Sequence, residues 1–315
     1  MLSDGVPLAT RLSLIRRTMA IRRTRLAPLV ALTPAVLITA VAFLGAIVWT
    51  VYLSFTDSRI FPNYAIAKSW SRQYERLWYD KAWAVALENV LTLSAGGVLA
   101  IALGFVMAAM VERESRRESY FRTLFLYPLA LSFIVTGIVW RWMFNPDLGA
   151  ERLLRQLGFA DAKFNWLADP RTAMYGIILA SIWHSLGFYT ALMLAGLKSI
   201  DKELWHVARI DGVGVWRLYV EVIIPMLRWT FLTCGILLSL GVVKAYDIVV
   251  AMTNGGPGTA TWTPAYFVLN AYATRGNVGY AAAAAVVMLG ITAVVFLPMV
   301  LTTTWQLKRH TASKT

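Results

Sequence analysis

Four side chains in one apolar stretch share a helical face that could hydrogen-bond a ligand. They are spaced at i, i+3, i+4 and i+7, so a helix places them together: Ser181, His184, Ser185 and Phe188. Polar groups are costly in lipid, so this face should point to protein or to a water-filled cavity. Two interpretations stay open from these residues: hydrogen bonds between neighbouring helices, or a ligand site with hydroxyl-bonding groups beside an aromatic ring.

Lys244 and Asp247 are a second pair with possible chemistry inside an apolar stretch. They are three residues apart, so their side chains can pair on one helix. Charges inside a membrane segment are rare and tend to pair with one another. Such a pair is usually structural or part of a gate, and a proton relay is the other interpretation.

The sequence carries no recognisable set of catalytic or metal-binding residues. It has no phosphate-binding motif of the form G-x-x-x-x-G-K-[ST]. His184, His206 and His310 are too scattered for a metal site, and the single cysteine, Cys234, excludes an intramolecular disulfide. We therefore predict no catalytic residues, no metal and no cofactor on this chain. Any work across a membrane must be driven by a partner or by an ion gradient.

The composition is that of an integral membrane protein. Hydrophobic residues make up 58% and charged residues only 15%, and the mean hydropathy is +0.59. A spanning helix needs about 20 apolar residues. Six stretches meet this need, at about 29–55, 89–111, 121–143, 173–197, 229–252 and 278–304. We predict an all-α domain of six transmembrane helices over 27–305, between tails 1–26 and 306–315.

The net charge of +13 is explained by membrane topology. Lysine and arginine favour the cytoplasmic side. They concentrate in the two tails and in alternate loops: Arg11, Arg16, Arg17, Arg22, Arg23, Arg25, Arg113, Arg116, Arg117, Arg122, Lys198, Lys202, Arg209, Arg217, Arg228, Lys308, Arg309 and Lys314. This places both termini, and the segment at about 200–226, in the cytoplasm. No nucleic-acid partner is predicted.

A polar, glycine-broken segment, "HVARIDGVGVWRLYVEVIIP", interrupts the apolar pattern at 206–225. The residues predict a short helix, a break at Asp211-Gly212 and a second helix, with Pro225 near the start of the next span. Leu204, Val207 and Ala208 fall on one side of the first helix. The resulting elbow either offers this apolar side to the groove of a partner or rests on lipid headgroups.

This elbow resembles the cytoplasmic signature of binding-protein-dependent ABC importer permeases, E-A-A-x(3)-G-x(9)-I-x-L-P. The spacing is kept by Ala208, Gly212 and Pro225, whereas His206 and Val207 replace the family's Glu and first Ala. The resemblance implies the type I importer permease fold. It implies that the elbow is a coupling helix seated in a separate ATPase subunit, through His206, Val207, Ala208, Asp211, Gly212 and Pro225.

The resemblance covers roughly 27–305 and extends to the carbohydrate branch of the family. "WHSLGFYTALMLAGLKSIDKELW", "KAYDIVVAMTNGGPGTATWT" and "RWMFNPDLG" are similar to segments of maltose-type permeases. The same branch also carries polyols and glycerol phosphates. By resemblance, substrate contacts the face of the fourth span described above and a face of the fifth, formed by Leu238, Gly241, Val242 and Ala245.

The resemblance also implies the partners of the chain. They are a second, homologous permease, two ATPase subunits that hold ATP and Mg, an external solute-binding protein, and the lipid bilayer. The implied location is the cytoplasmic membrane of a bacterium or archaeon. The alternative that the residues leave open is a secondary transporter coupled to ions through Lys244 and Asp247; a membrane enzyme is disfavoured because no catalytic set is present.

Overall fold

The computed structural model describes residues 32–60, 63–67, 69–113, 123, 125–159 and 165–294. In this part of the chain the regular structure is helical, apart from one isolated bridge between Thr56 and Ile66. The helices, labelled in chain order, are α1 Leu32–Ser54, α2 Arg72–Tyr79, α3 Lys81–Arg113, α4 Phe133–Met143, α5 Ala150–Gln156, α6 Ala173–Lys198, α7 Lys202–Ile210, α8 Val215–Met226, α9 Arg228–Val243, α10 Asp247–Met252, α11 Pro264–Leu269 and α12 Val278–Val294.

Three of these helices, α1, α3 and α6, are long and apolar enough to cross a membrane. A fourth span results if α8 and α9 are taken as one helix, which bends by 67° between them. The helices α4 and α12 are apolar but shorter. The end of the predicted sixth span, 295–304, both predicted tails and most of the basic loop after α3 lie outside the described residues.

Two of the predicted spans are not continuous helices. The prediction for 121–143 is wrong in this respect, because α4 begins only at Phe133, after a 3-10 turn at Pro128–Ala130. Proline lacks the N–H that continues a helix, and the Ser132 side chain accepts a hydrogen bond from Val135 N to start α4 afresh. The predicted 229–252 span is also interrupted, because α9 ends at Val243 and α10 begins at Asp247.

The helix α1 forms a unit by itself as far as Tyr52. None of its apolar window is buried, and large side chains such as Ile38, Val41 and Val48 are exposed. A helix that is apolar on all sides and exposed along its length has the surface expected for contact with lipid or with another membrane helix.

The remaining helices pack around α3 and α6, the most extensive helix pair in the described chain. Small residues allow the close approach. A side chain at Gly104 of α3 would lie 2.8 Å from the Cβ of Tyr189 and 3.0 Å from the backbone N of Thr190, both on α6. The same cluster continues into α8 and α9 through Ile223 and Cys234. The pair α3–α6 is therefore the frame that holds the other helices.

The start of α3 is tied to α11 and α12 by a second cluster. The ring of Phe267 packs edge-on against Trp83 and Tyr280, with centroids 5.1 and 5.6 Å away. The Tyr280 hydroxyl donates to Asp80 Oδ2 at 2.8 Å. Arg275 lies 3.5 Å from the same carboxylate. These contacts anchor the segment that follows α10.

Candidate functional site

A cavity of about 410 Å³ lies between α3, α4, α6 and α9. Its volume falls in the range of small-molecule sites. Its walls combine glycines, aliphatic side chains, two serines, three aromatic residues and two charged residues. The residues relevant below are Gly96, Gly97, Phe133, Ser181, Ser185, Tyr189, Leu238, Gly241, Val242, Lys244, Ala245, Tyr246 and Asp247.

The α6 wall of the cavity carries the two predicted serines. Ser181 donates its hydroxyl to Ile177 O at 2.8 Å, and Ser185 donates to Ser181 O at 2.8 Å. These protons are used within the helix. The hydroxyl oxygens keep acceptor lone pairs, and both residues are half-buried at the cavity. The wall therefore offers hydrogen-bond acceptors to a polar molecule.

His184 and Phe188, predicted on the same face, do not line this cavity. His184 is only 4% exposed, and its Nδ1 lies 3.0 Å from Thr136 Oγ1 on α4. Phe188 packs edge-on against Tyr189 at 5.7 Å and joins the core cluster. Their spacing with the serines is helical, but the cavity occupies only part of the length and width of that face.

All four residues of the predicted fifth-span face line the cavity. Leu238, Gly241 and Val242 lie on α9, and Ala245 lies just after it, before α10. A side chain at Gly241 would meet nothing within 4 Å, so this glycine leaves open space. On α3, a side chain at Gly97 would collide with Leu238. Small residues thus set the width of the cavity on both sides.

Lys244 and Asp247 both line the cavity and are exposed there, but they do not form the helical pair that their spacing predicts. Lys244 caps the end of α9, and Asp247 opens α10 after a break. Among the described ion pairs, none within 4.0 Å joins the two. Their separation follows from the interrupted helix, since i and i+3 are neighbours only where a helix is continuous.

The break between α9 and α10 is held by the segment before α11. Thr263 Oγ1 donates to Ala245 O at 2.5 Å, which satisfies a carbonyl that the helix leaves free. Tyr246 stacks on Tyr266 with centroids 6.1 Å apart. The Tyr266 hydroxyl in turn donates to Asn254 O at 2.7 Å. The backbone that presents the two charges is therefore fixed from outside the cavity.

A second candidate site is the segment α7–α8, which has the predicted form of helix, turn and helix. Asp201 caps α7 by accepting from Glu203 N at 3.0 Å. At the other end Gly212 has φ 66°, and Val213 N donates to Ala208 O at 3.0 Å. This is a Schellman ending, in which glycine takes the left-handed position at least cost. Asp211 caps α7, so the turn is built by the two residues predicted to break the helix.

The exposed apolar surface of α7–α8 differs from the predicted one. Ala208 is buried at 8%, and Leu204 packs against the core cluster, so both face inward. The exposed large apolar side chains around the turn include Val207 at 48%, Ile210 at 84% and Trp216 at 82%. The prediction of a patch on Leu204, Val207 and Ala208 is therefore wrong for two of its members, because the chain's own core takes that side.

The remaining predicted coupling residues lie in different surroundings. His206, Asp211 and Gly212 are exposed. Pro225 lies near the end of α8, three residues before α9 begins at Arg228, where the chain bends by 67°. A wide π turn at Leu218–Ile223 precedes it. A proline ring clashes with the carbonyl four residues earlier, here Glu221, and the wide turn lies at that place.

Three aromatic residues of the cavity, on α4, on α6 and in the break, are not among the predicted site residues. Phe133, Tyr189 and Tyr246 bring aromatic rings to it. Phe133 opens a short helix whose start is set by Ser132, and Tyr246 lies in the break. Neither position follows from helical periodicity. Ser132 and Phe133 after Pro128 are a recognisable helix start, but this local signal does not predict what the Phe133 ring contacts.

Apolar helices long enough to span a membrane, two of which line a ligand-sized cavity, define the class as a helical membrane protein with an internal binding cavity. The family model for the inner membrane component of binding-protein-dependent transport systems matches residues 100–302, and the chain belongs to this family. It is a transport subunit, not an enzyme.

Two relatives and one solved structure illustrate the similarity. A probable ABC transporter permease of Pyrococcus horikoshii is 37% identical over 259 residues, which cover 80% of this chain and 87% of the relative. A diacetylchitobiose uptake permease of Streptomyces coelicolor is 31% identical over 259 residues, 78% and 72% of the two chains. A chain of a bacterial alginate ABC transporter, solved in complex with an alginate pentasaccharide-bound periplasmic protein, has a TM-score of 0.73 at 19% identity, over 88% and 94% of the chains. This last likeness shows the fold.

Proposed function

We propose that this chain is the permease subunit of an ATP-driven importer through which a carbohydrate crosses the cytoplasmic membrane of a bacterium or archaeon. The observation that carries the proposal is the cavity, with its two serines, its aromatic rings and the glycines in its walls. Relatives that are named for sugars, among them the diacetylchitobiose permease, favour a carbohydrate as the substrate. In this proposal Ser181, Ser185, Leu238, Gly241, Val242 and Ala245 line the pathway.

The proposed assembly contains more chains than this one. A second permease completes the pathway, two ATPase subunits bind ATP and Mg, and an external binding protein delivers the sugar. The chain crosses the bilayer six times with both termini in the cytoplasm. This proposal is supported by the exposed apolar length of α1 and by the exposed apolar side chains Trp229 and Leu232 on α9, which need lipid or a partner helix.

The proposed mechanism is alternating access driven by the ATPases through α7–α8. Val207, Ile210 and Trp216 form the apolar contact with the ATPase, flanked by His206, Asp211 and Gly212. The inner side of α7–α8 packs, through Leu204, Trp205 and Tyr219, into the cluster that also contains α6 and α9 residues. A displacement of α7–α8 is therefore passed to α6 and α9, which both line the cavity. Lys244 and Asp247 act as gate or structural residues at the break.

The test is purification of the tagged chain from native membranes in mild detergent, with mass spectrometry of the retained proteins. We expect an ATPase and a second permease to co-purify, and a sugar-loaded binding protein to stimulate ATP hydrolysis by the reconstituted complex. Recovery of this chain alone, while it still drives sugar uptake in liposomes, would contradict the proposal and favour the ion-coupled alternative.

A further inference from the structure

We infer that Phe133 is the aromatic platform on which a cyclic sugar rests in the cavity, and that His184 and Thr136 position its ring. The inference rests on the proposed function, because that proposal assigns the cavity to carbohydrate. It narrows the substrate class to ring-form sugars, as opposed to acyclic polyols and glycerol phosphates.

Phe133 is placed at the cavity by the start of α4. Ser132 caps this helix, so Phe133 is its first residue and the direction of its side chain is set by the cap. The side chain lines the cavity and is 43% exposed. It faces the same space as Ser181 and Ser185 of α6. One cavity thus offers an apolar ring and two hydroxyl oxygens to the same molecule.

The ring of Phe133 is supported from behind by a buried polar pair. The centroid of the His184 ring lies 4.1 Å from that of Phe133, with the ring planes at 33°. His184 Nδ1 lies 3.0 Å from Thr136 Oγ1, one helical turn after Phe133 on α4. The contact joins α4 to α6 and covers one side of the Phe133 ring. A buried hydrogen bond of this kind is costly to leave unmade, so it holds the imidazole against the phenyl ring.

This geometry suits a molecule with one apolar face and a polar rim. The face of an aromatic ring is electron-rich, and it attracts the C–H groups that a cyclic sugar presents on one side. The rim hydroxyls of the sugar can then donate to the serine oxygens. An acyclic polyol has no such fixed face, and it loses more conformational freedom on binding. The site therefore favours pyranose and furanose rings.

Phe188, the aromatic residue that helical spacing predicts for this role, provides the matched control. It lies on α6 like Ser181 but packs against Tyr189 in the core cluster and does not line the cavity. Replacing either phenylalanine by leucine removes a ring and keeps apolar bulk. Only the change at Phe133 should alter sugar binding.

The experiment measures occupancy of the cavity directly in the reconstituted importer without its binding protein. Leu237→Cys, at a cavity-lining residue with no proposed hydrogen bond to the sugar, is labelled with a methanethiosulfonate reagent, in a Cys234→Ala background that removes the buried native thiol. The probes are trehalose, diacetylchitobiose and xylose as cyclic sugars, and glucitol as the acyclic polyol. We expect at least one cyclic sugar to slow the labelling and glucitol not to do so.

We expect Phe133→Leu to raise the half-protective concentration, at which the sugar halves the labelling rate, by about tenfold, the scale of one lost aromatic contact. Phe188→Leu should leave it unchanged. Thr136→Val should raise it without altering the sugar-free labelling rate, and Thr136→Ser should restore it. A purely structural role of Thr136 would change the sugar-free rate or the yield of complex instead. If Phe133→Leu does not assemble, Phe133→Met serves in its place.

The outcomes separate the two proposals. The inference would be overturned if the sugar protected the Phe133→Leu variant from labelling as well as it protects the parent, or if glucitol protected as well as the cyclic sugar. The assignment of the cavity to sugar would then remain. Absence of protection by any cyclic sugar in the Leu237→Cys parent would overturn the cavity assignment itself, and the inference with it, before Phe133 is changed.

Discussion

At the scale of single residues, the type of a side chain and its place in the fold have to be considered separately when residues are assigned to the cavity. The serines of α6 reach the cavity as their spacing predicts, whereas His184 turns to Thr136 and supports Phe133 from behind. Lys244 and Asp247 reach the cavity without pairing. A polar residue in an apolar helix is therefore a sound signal for a functional region, but its partner has to be seen in the structure.

The charges at the break distinguish ATP-driven from ion-coupled transport. Asp247 is exposed at the cavity, so Asp247→Asn leaves no buried unpaired charge and should change the free energy of unfolding by less than about 0.5 kcal/mol. We expect uptake into proteoliposomes to remain ATP-dependent and insensitive to ionophores, in this variant and in Lys244→Gln. Abolition of uptake by Asp247→Asn, together with ionophore sensitivity of the parent, would identify ion coupling.

At the scale of elements, α7–α8 divides its apolar residues between the core and the outside. Leu204 and Ala208 recur at i and i+4 and face the core, while Ile210 and Trp216 lie around the glycine turn and are exposed. A charge at Ala208 would thus damage folding as well as any contact with a partner. Ile210 is the better position for a test, because its side chain is 84% exposed.

Ile210→Asp should abolish sugar uptake and co-purification of the ATPase, because it places a charge in the proposed apolar contact. The second permease should still co-purify, since the side chain contributes little to the chain's own core. Ile210→Leu keeps the apolar contact and should behave as the parent. Leu153→Asp adds the same charge to α5, at a side chain 60% exposed, and should retain the ATPase. Retention of the ATPase by Ile210→Asp would contradict the coupling role.

At the scale of the whole molecule, the proposed topology places the α7–α8 turn and the turn before α11 on opposite sides of the membrane. Ile210→Cys and Thr259→Cys, both at exposed residues, can be labelled with a membrane-impermeant maleimide. We expect only Thr259→Cys to react in intact cells and both to react after permeabilisation. The buried Cys234 gives little background. Labelling of Ile210→Cys in intact cells would invert the topology and remove the basis for ATPase coupling.

The sequence by itself determined the class of the protein and the type of its main elements. Long apolar stretches exclude a soluble core, the i, i+3, i+4 pattern predicts α6 with its two cavity serines, and Asp211-Gly212 predicts the end of α7. These are local properties: hydropathy over about 20 residues, side-chain spacing on a helix, and the left-handed freedom of glycine.

Tertiary structure alone decided how the site is assembled. The fifth predicted span is interrupted, so that Lys244 and Asp247 line the cavity without pairing. Phe133, and not the predicted Phe188, brings a phenyl ring to the cavity. Ala208 faces inward, whereas Ile210 and Trp216 are exposed. The physical reason is that each outcome depends on contacts between residues far apart in the chain, such as Thr263 with Ala245 and Thr136 with His184. Periodicity says which residues share a face of a helix, and only packing says what that face meets.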